Sequence, residues 1–372
     1  MKRLRLLSFL FVRKIRKNVY FQNPKSIFMI LRLFICLLLP LSIFCQSKKK
    51  YKLRCVAFYN VENLFDTKND SLIFDDDRTP KGAYKWNEKR YGKKIANISK
   101  VISKIGGEIH TSPPDVIGLC EIENRNVLND LVGHPNLRMY DYGILHFDSP
   151  DHRGIDVALL YQKSSFLPTA FVSRRLLIKD ELGNRKYTRD QLVVEGILDN
   201  ETFYFLVNHW PSRRGGEQKS RPNRLKAAQL NKQIIDSLRY LNPDSKIISM
   251  GDFNDDPKNA SFRKVLKTKG NVRVLDSLDL YNPSEELYKK GLGSLAYRDK
   301  WNLFDQFYMT SNLTEKSKGY FLWKTALYTP NFLRTPNGKY IGYPFRTYSG
   351  TNYIGGYSDH FPIYLFLIRE QL

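Results

Sequence analysis

From Tyr51 onward, short apolar runs of strand length alternate with stretches of helical period, and most of the apolar runs are flanked by a residue able to bind metal or phosphate. The strand-like runs are residues 56–59, 115–120, 155–161, 191–198, 203–207, 246–250, 303–309 and 362–368. Between them, Ile95, Ile98, Val101, Ile102 and Ile105 recur at helical spacing and predict a core-facing helix. A second helix is expected to begin near Pro222, with proline at a helix start, and to run through Leu225, Ala228, Ile234, Ile235 and Leu238. Strands alternating with helices predict an α/β fold. No internal repeat and no Pro/Gly/Ser linker divides 51–372, so that span reads as one domain, with 1–50 as a separate segment.

Polar residues at the run ends form a consistent kit. Asn60 and Glu62 follow the first run and Glu121 the second. Asn208 and His209 follow 203–207, Asp252 and Asn254 follow 246–250, Asp305 sits inside 303–309, and Asp359 and His360 precede 362–368. Each alone has a plain explanation: a turn cap, a helix N-terminal charge, a surface pair. Together they supply hard oxygen donors suited to Mg²⁺, two histidines, and amides that can orient water or phosphate, at the strand ends where α/β sheets form sites. The loop with Asp75, Asp76 and Asp77 lacks the glycine and glutamate spacing of an EF-hand and reads as solvated.

Six motifs carry a resemblance: Phe58-Tyr-Asn-Val-Glu-Asn63, Asp115-Val-Ile-Gly-Leu-Cys-Glu121, Arg153-Gly-Ile-Asp-Val-Ala-Leu-Leu-Tyr161, Val207-Asn-His-Trp-Pro-Ser-Arg213, Gly251-Asp-Phe-Asn254 and Ser358-Asp-His360. In this order they resemble the endonuclease/exonuclease/phosphatase superfamily, which includes deoxyribonuclease I, repair nucleases, neutral sphingomyelinases and inositol polyphosphate phosphatases. The resemblance implies a four-layer α/β sandwich, two packed mixed β-sheets flanked by helices, with the site at one rim. It places Glu121 as the main metal ligand, with Asn60, Glu62 and Asp359 in the metal-binding set. It makes Asp252 and Asn254 the pair that handles water and phosphate oxygens, His360 a phosphate contact or base, and Asp305 its orienter. His209 stands where deoxyribonuclease I and several lipid and inositol phosphodiesterases carry a histidine, and a histidine can protonate a leaving oxygen. Arg189 matches a phosphate-contacting arginine of deoxyribonuclease I. Asp156, on a strand that could reach the site, is the expected acidic orienter of His209. Arg213, Arg214 and Arg221, around Gly215-Gly216, form a basic loop that suits phosphate capture or stands as a mobile solvated loop.

The net charge of +23 is partly local: residues 1–50 hold twelve Lys or Arg and no acid, leaving 48 basic against 37 acidic residues beyond. That remaining surplus favours a polyanionic partner, nucleic acid first and an anionic lipid surface second. Residues 27–45 form an apolar stretch behind a basic flank and read as a signal-peptide core, so export is expected, with a retained membrane anchor or lipidation at Cys45 as alternatives. Four cysteines without a Cys-x-x-Cys pair support neither a zinc site nor a disulfide framework, and Cys55 and Cys120 are expected as buried thiols. The expected activity is metal-dependent phosphodiester hydrolysis using Mg²⁺, with Mn²⁺ or Ca²⁺ as alternatives, by an exported nuclease of little sequence preference. A sphingomyelinase-like lipid phosphodiesterase, a phosphomonoesterase of the same fold, and a non-catalytic binding protein are the rivals. The aromatic stretch 340–353 fits either membrane docking or a substrate loop. No obligate protein partner is indicated, and a monomer is expected.

Overall fold

Alternation along the first strand sets the architecture. Strand β1 (Lys50–Leu64) sends Val56 and Phe58 into one apolar cluster and Ala57 and Tyr59 into another, the period of two of a strand buried on both faces. The computed structural model describes residues 49–371, so the apolar stretch 27–45, its basic flank, Cys36 and Cys45 lie outside the described residues. Among the described residues, no helix is long and apolar enough to cross a membrane.

The further sheet strands are β2 (Val116–Ile122), β3 (Tyr142–His146), β4 (Asp156–Gln162), β5 (Phe166–Arg174), β6 (Gln191–Leu198) and β7 (Glu201–His209). Then follow β8 (Lys246–Asp252), β9 (Leu280–Tyr281), β10 (Asp305–Thr310), β11 (Phe321–Leu327) and β12 (Ile363–Gln371). They build two six-stranded sheets, ordered β11-β12-β1-β2-β4-β3 and β9-β10-β8-β7-β6-β5. Both are mixed: β1 pairs β2 in parallel and β2 pairs β4 antiparallel, while β8 is parallel to β7 and antiparallel to β10.

Phe58, Val157, Phe205, Val207, Met250 and Phe307 share the cluster between the sheets. Helix α1 (Glu88–Ile102) packs Ile95, Ile98 and Ile102, and α2 (Arg125–Gly133) packs Leu128 and Leu131, onto the outer face of the first sheet. Each starts at an asparagine cap: Asn87 accepts from the Arg90 N–H, and Asn124 from those of Asn126 and Val127. Helix α3 (Glu217–Leu241) lays Ala227, Ala228, Ile234 and Ile235 on Leu206, Ile247 and Tyr308 of the second sheet. The four layers expected from the sequence are therefore present. Helix α3 differs in one respect: it begins at Glu217, and Pro222 lies inside it. Side chains reinforce the turns around the proline, with Ser220 donating to the Gly216 carbonyl and Arg224 donating to the Ser220 hydroxyl. Cys55 and Cys120 are buried free thiols. In the 75–77 loop, Asp75 departs from the solvated reading: it is 1% exposed and accepts from the Asp70 N–H, while Asp76 and Asp77 are exposed.

Candidate active site

Strand register gathers the site. In the second sheet His209, Asp252 and Asp305 are direct neighbours, because Asp252 pairs with His209 on one side and with Asp305 on the other. Two residues away on each strand, Val207, Met250 and Phe307 point between the sheets, so the period of two aims the three polar side chains at the same rim. Asn60 follows Phe58 by the same rule on the facing sheet. Glu121 would break the rule, since Cys120 already points inward. A register shift between Cys120 and Ile122 and a φ of 64° at Glu121 turn it. Such backbone is uncommon for a residue with a Cβ and is the kind of strain held at functional sites.

Asp252 is the hub. Its Oδ2 accepts from Asn60 Nδ2 at 3.1 Å and lies 3.7 Å from His209 Nε2 and 3.9 Å from His360 Nε2. Asn60 Nδ2 also reaches Glu121 Oε1 at 3.3 Å, and His209 Nε2 lies 3.9 Å from that oxygen. The Asn63 N–H holds Glu121 Oε2 at 2.9 Å. Asn254, with a φ of 51°, donates its N–H to Asp252 Oδ1 and its amide to the Trp210 carbonyl, both at 3.0 Å. On the far side, His360 Nδ1 lies 2.6 Å from Asp305 Oδ2. Ser358 fixes the approach of His360, donating to the Asn60 carbonyl at 2.7 Å and accepting from the His360 N–H at 3.1 Å.

Burial and neighbours push the titrating groups apart. Burial alone would lower His360, but Asp305, Asp252 and Asp359 outweigh it and hold the imidazole protonated well above its usual range. Burial, then the charges of Arg189, Arg153 and His360, keep His209 neutral far below its usual range. Asp252 is pushed up to about 7, chiefly by burial, with Asp305 and Glu121 adding and His360 opposing. Asp305 Oδ1 is buried with no partner. Glu121, its side chain 15% exposed, is the open carboxylate beside Asp252, and a hard oxygen donor of this kind fits a divalent cation.

Several expected roles need correction. Asn60 Oδ1 accepts from the Glu62 N–H at 2.9 Å and its NH₂ reaches Glu121 and Asp252, so it holds these two carboxylates in place. Glu62, at a φ of 52°, joins a different cluster: it accepts from the Thr347 N–H at 2.6 Å and lies 3.6 Å from Lys94 Nζ and 3.8 Å from Arg346 Nε. Asp359 is bound there too, to Arg346 NH2 at 2.5 Å. Asp156 does not orient His209. His146 takes its Oδ2 at 3.2 Å and Ser149 its Oδ1, while His209 Nδ1 is buried without a partner. Asp156 instead groups with His146 and Asp148 in a separate cluster. Arg189 is buried, with NH1 on Asp151 at 3.0 Å and NH2 on the Trp210 carbonyl at 2.7 Å, which leaves its charge to act on His209 from behind. Arg213 is committed to Asn254 and Asp255, and Arg221 to Glu217.

Sequence reasoning passed over the groups that hold these side chains. Arg224, fully buried, donates to Asp255 at 2.6 Å, and Asn231 donates to Asn208 Oδ1 at 2.8 Å. A charged residue inside the apolar stripe of α3 was the available signal for Arg224. Lys94, inside the isoleucine stripe of α1, was the same signal for the Glu62 cluster.

The profile of the Endonuclease/Exonuclease/phosphatase family matches residues 55–369. The chain belongs to that family. Among solved structures, a family member from Bacteroides thetaiotaomicron is similar at a TM-score of 0.51 and 14% identity, over 87% of this chain and 100% of that one. D. rerio TDP2 complexed with a single-strand DNA product gives a TM-score of 0.50 at 15% identity, over 85% of this chain and 99% of that one. A mannosyl-6-phosphatase from Bacteroides thetaiotaomicron gives 0.50 at 16% identity, over 84% and 99%. Comparison with curated protein sequences gives no significant match. The two mixed sheets with few helices are the deoxyribonuclease I-like fold of this family, and its chemistry is phosphoester hydrolysis.

Proposed function

We propose that this family member is an exported, Mg²⁺-dependent phosphodiesterase that cuts nucleic acid with little sequence preference. The observation that carries the reading is the convergence of Asn60, His209 and His360 on one oxygen of Asp252, with Glu121 beside them. Asp252, with a carboxyl near 7, is suited to take the proton of an attacking water at neutral pH. His360, kept as an imidazolium by Asp305, contacts a phosphoryl oxygen. His209 enters neutral and donates a hydrogen bond toward the leaving oxygen. A divalent cation held by Glu121 would polarise the phosphoryl group and offset its growing charge; Mn²⁺ and Ca²⁺ would compete for the same oxygens.

Nucleic acid is favoured over lipid by the basic surplus beyond residue 50 and by the DNA product seen with D. rerio TDP2. The matched residues address phosphate and metal, not base edges, which supports weak sequence preference. Export rests on the apolar stretch 27–45. The mannosyl-6-phosphatase likeness favours a phosphomonoester as the second reading. The test is turnover of plasmid DNA, RNA, sphingomyelin and mannose 6-phosphate by the full chain, with and without Mg²⁺. Nucleic acid should be cleaved fastest and only with metal. Rapid lipid or sugar-phosphate hydrolysis with intact plasmid would overturn the nuclease reading.

A further inference from the structure

Beside His209 opens a cavity of about 250 Å³, lined by Asp151, Arg153, Lys186, Tyr187, Arg189 and Arg214 among others. It adjoins the candidate active site through its own wall, because Arg189 NH2 is bonded to the carbonyl of Trp210, the residue after His209. Four cations face one carboxylate there. Asp151 engages Arg189 at 3.0 Å and Arg153 at 3.5 Å, whereas the side chains of Lys186 and Arg214 are exposed and have no ion pair or hydrogen bond among the described residues. The wall also holds polar atoms left without partners: Thr188 Oγ1 and Arg189 Nε, on residues 4% and 5% exposed. Buried donors without partners are rare in folded proteins, and these two sit in the lining of the cavity.

The cavity does not end there. Lys186 and Arg214 also line a second groove, which continues past Lys179 and Lys219. Its floor is the hairpin Ile178–Lys179/Arg185–Lys186, pinned by Asp180, whose Oδ1 accepts from the Leu182 and Asn184 N–H groups. Tyr187 at the hairpin base is braced by His152 edge-on at 5.1 Å and by Arg185 over its ring at 4.8 Å. The acids that line the second groove are Asp180, turned into that hairpin, and Glu181.

We infer that this groove is a backbone track for a polynucleotide strand, holding the phosphates that flank the scissile one on the His209 side. Successive phosphates of one strand need cations leading away from the reaction centre, and Arg153 lines the first cavity, Lys186 and Arg214 both, and Lys179 and Lys219 the second. A substrate with a single phosphate fills only the centre and gains nothing from the track. The inference rests on the nucleic-acid reading above and extends it to a substrate of several linked phosphates.

The experiment is fluorescence anisotropy of labelled oligothymidylates of 4, 8 and 12 nucleotides, in EDTA, at several salt concentrations. The full chain is compared with the double variant Lys179→Glu, Lys186→Glu, whose changes lie on an exposed hairpin. Affinity should rise with length in the parent. In the variant it should fall at least about tenfold, with a slope of log affinity against log salt shallower by about 1.4, two phosphate contacts on a single strand. Hydrolysis of bis(p-nitrophenyl) phosphate with Mg²⁺ should stay within about twofold. Equal affinity and slope in parent and variant would overturn the track. If the parent binds oligonucleotides through these lysines yet never cleaves them, the nuclease reading fails and the track stands. If it cleaves them and the variant keeps the salt slope, the track fails alone.

Discussion

Asp305 Oδ2 and His360 Nδ1 lie 2.6 Å apart, both residues buried, with the other face of the imidazole turned to Asp252 at 3.9 Å. The aspartate thus sets both the orientation and the charge of the histidine. Asp305→Asn should lower the rate by about 10²–10⁴. It should also move the alkaline limit of kcat/KM to lower pH, because His360 loses the carboxylate that keeps it protonated. An unchanged pH profile would show that Asp305 acts only as scaffold.

His209 and Asp156 separate two roles that the sequence joined. His209→Ala, which removes a hydrogen-bond donor to the leaving oxygen, should cost about 10²–10³ in kcat. Asp156→Asn, which disturbs only His146 and Ser149, should cost less than about fivefold. Steady-state kinetics on one substrate decides both, and an equal loss in the two variants would restore the abandoned pairing.

In the two six-stranded sheets, the eight runs read as strands in the sequence are the eight interior strands, and the four not read, β3, β5, β9 and β11, are the four sheet edges; the short two-stranded ribbons, such as Ile178–Lys179 with Arg185–Lys186, also escape the sequence. The cause is physical. Interior strands are covered on both faces and show as apolar runs. β5 is largely exposed and β9 is only two residues long, so neither leaves that signature. The site was legible by the same logic where strand period governs direction, as at Asn60, His209, Asp252 and Asp305. It was not legible where direction depends on a bulge, as at Glu121, which the family resemblance supplied, or on distant partners. Glu62 and Asp359 entered the metal-binding set through the resemblance alone, and the structure sets them against Lys94, Arg346 and Thr347, contacts that the sequence does not announce. The same held for Asp156, since nothing in the sequence says that His146 and Ser149 engage it first.

That second cluster should matter for folding. Lys94 is 1% exposed, donates to Thr347 Oγ1 and the Tyr357 carbonyl at 2.6 Å, and has Glu62 as its charge partner. Glu62→Gln leaves a buried ammonium without that partner and should destabilise by about 3 kcal/mol in urea unfolding at pH 7. Burial pushes Lys94 down to about 8, below its unfolded value, so the folded chain sheds this proton first. The penalty is therefore present below that pH and should shrink as pH rises through it. A penalty that is the same at pH 7 and pH 9.5 would contradict this.

Asp199 ties β1 to the second sheet, accepting from Lys52, from Arg54 Nε at 2.5 Å and from the Tyr320 hydroxyl at 2.7 Å. Burial would raise its carboxyl, but these donors outweigh it and hold the group well below the usual range. Its contribution is complete above about pH 4 and is lost as pH falls through the depressed folded value. With allowance for partial solvent screening, Asp199→Asn should cost about 1–2 kcal/mol at pH 7 and less at pH 3. Equal losses at both pH values would show that the hydrogen bonds, not the charge, carry the effect.

The central claim is that Asp252, fed by Asn60, His209 and His360 and set beside Glu121, is the reaction centre of a metal-dependent phosphodiesterase. Its most direct test is the initial rate of plasmid DNA cleavage by the full chain and by Asp252→Asn, each in Mg²⁺ and in EDTA. The account predicts rapid cleavage by the parent in Mg²⁺, none in EDTA, and a rate about 10²–10⁴ lower for the variant at unchanged stability. Full cleavage in EDTA, or a variant within about fivefold of the parent, would contradict it.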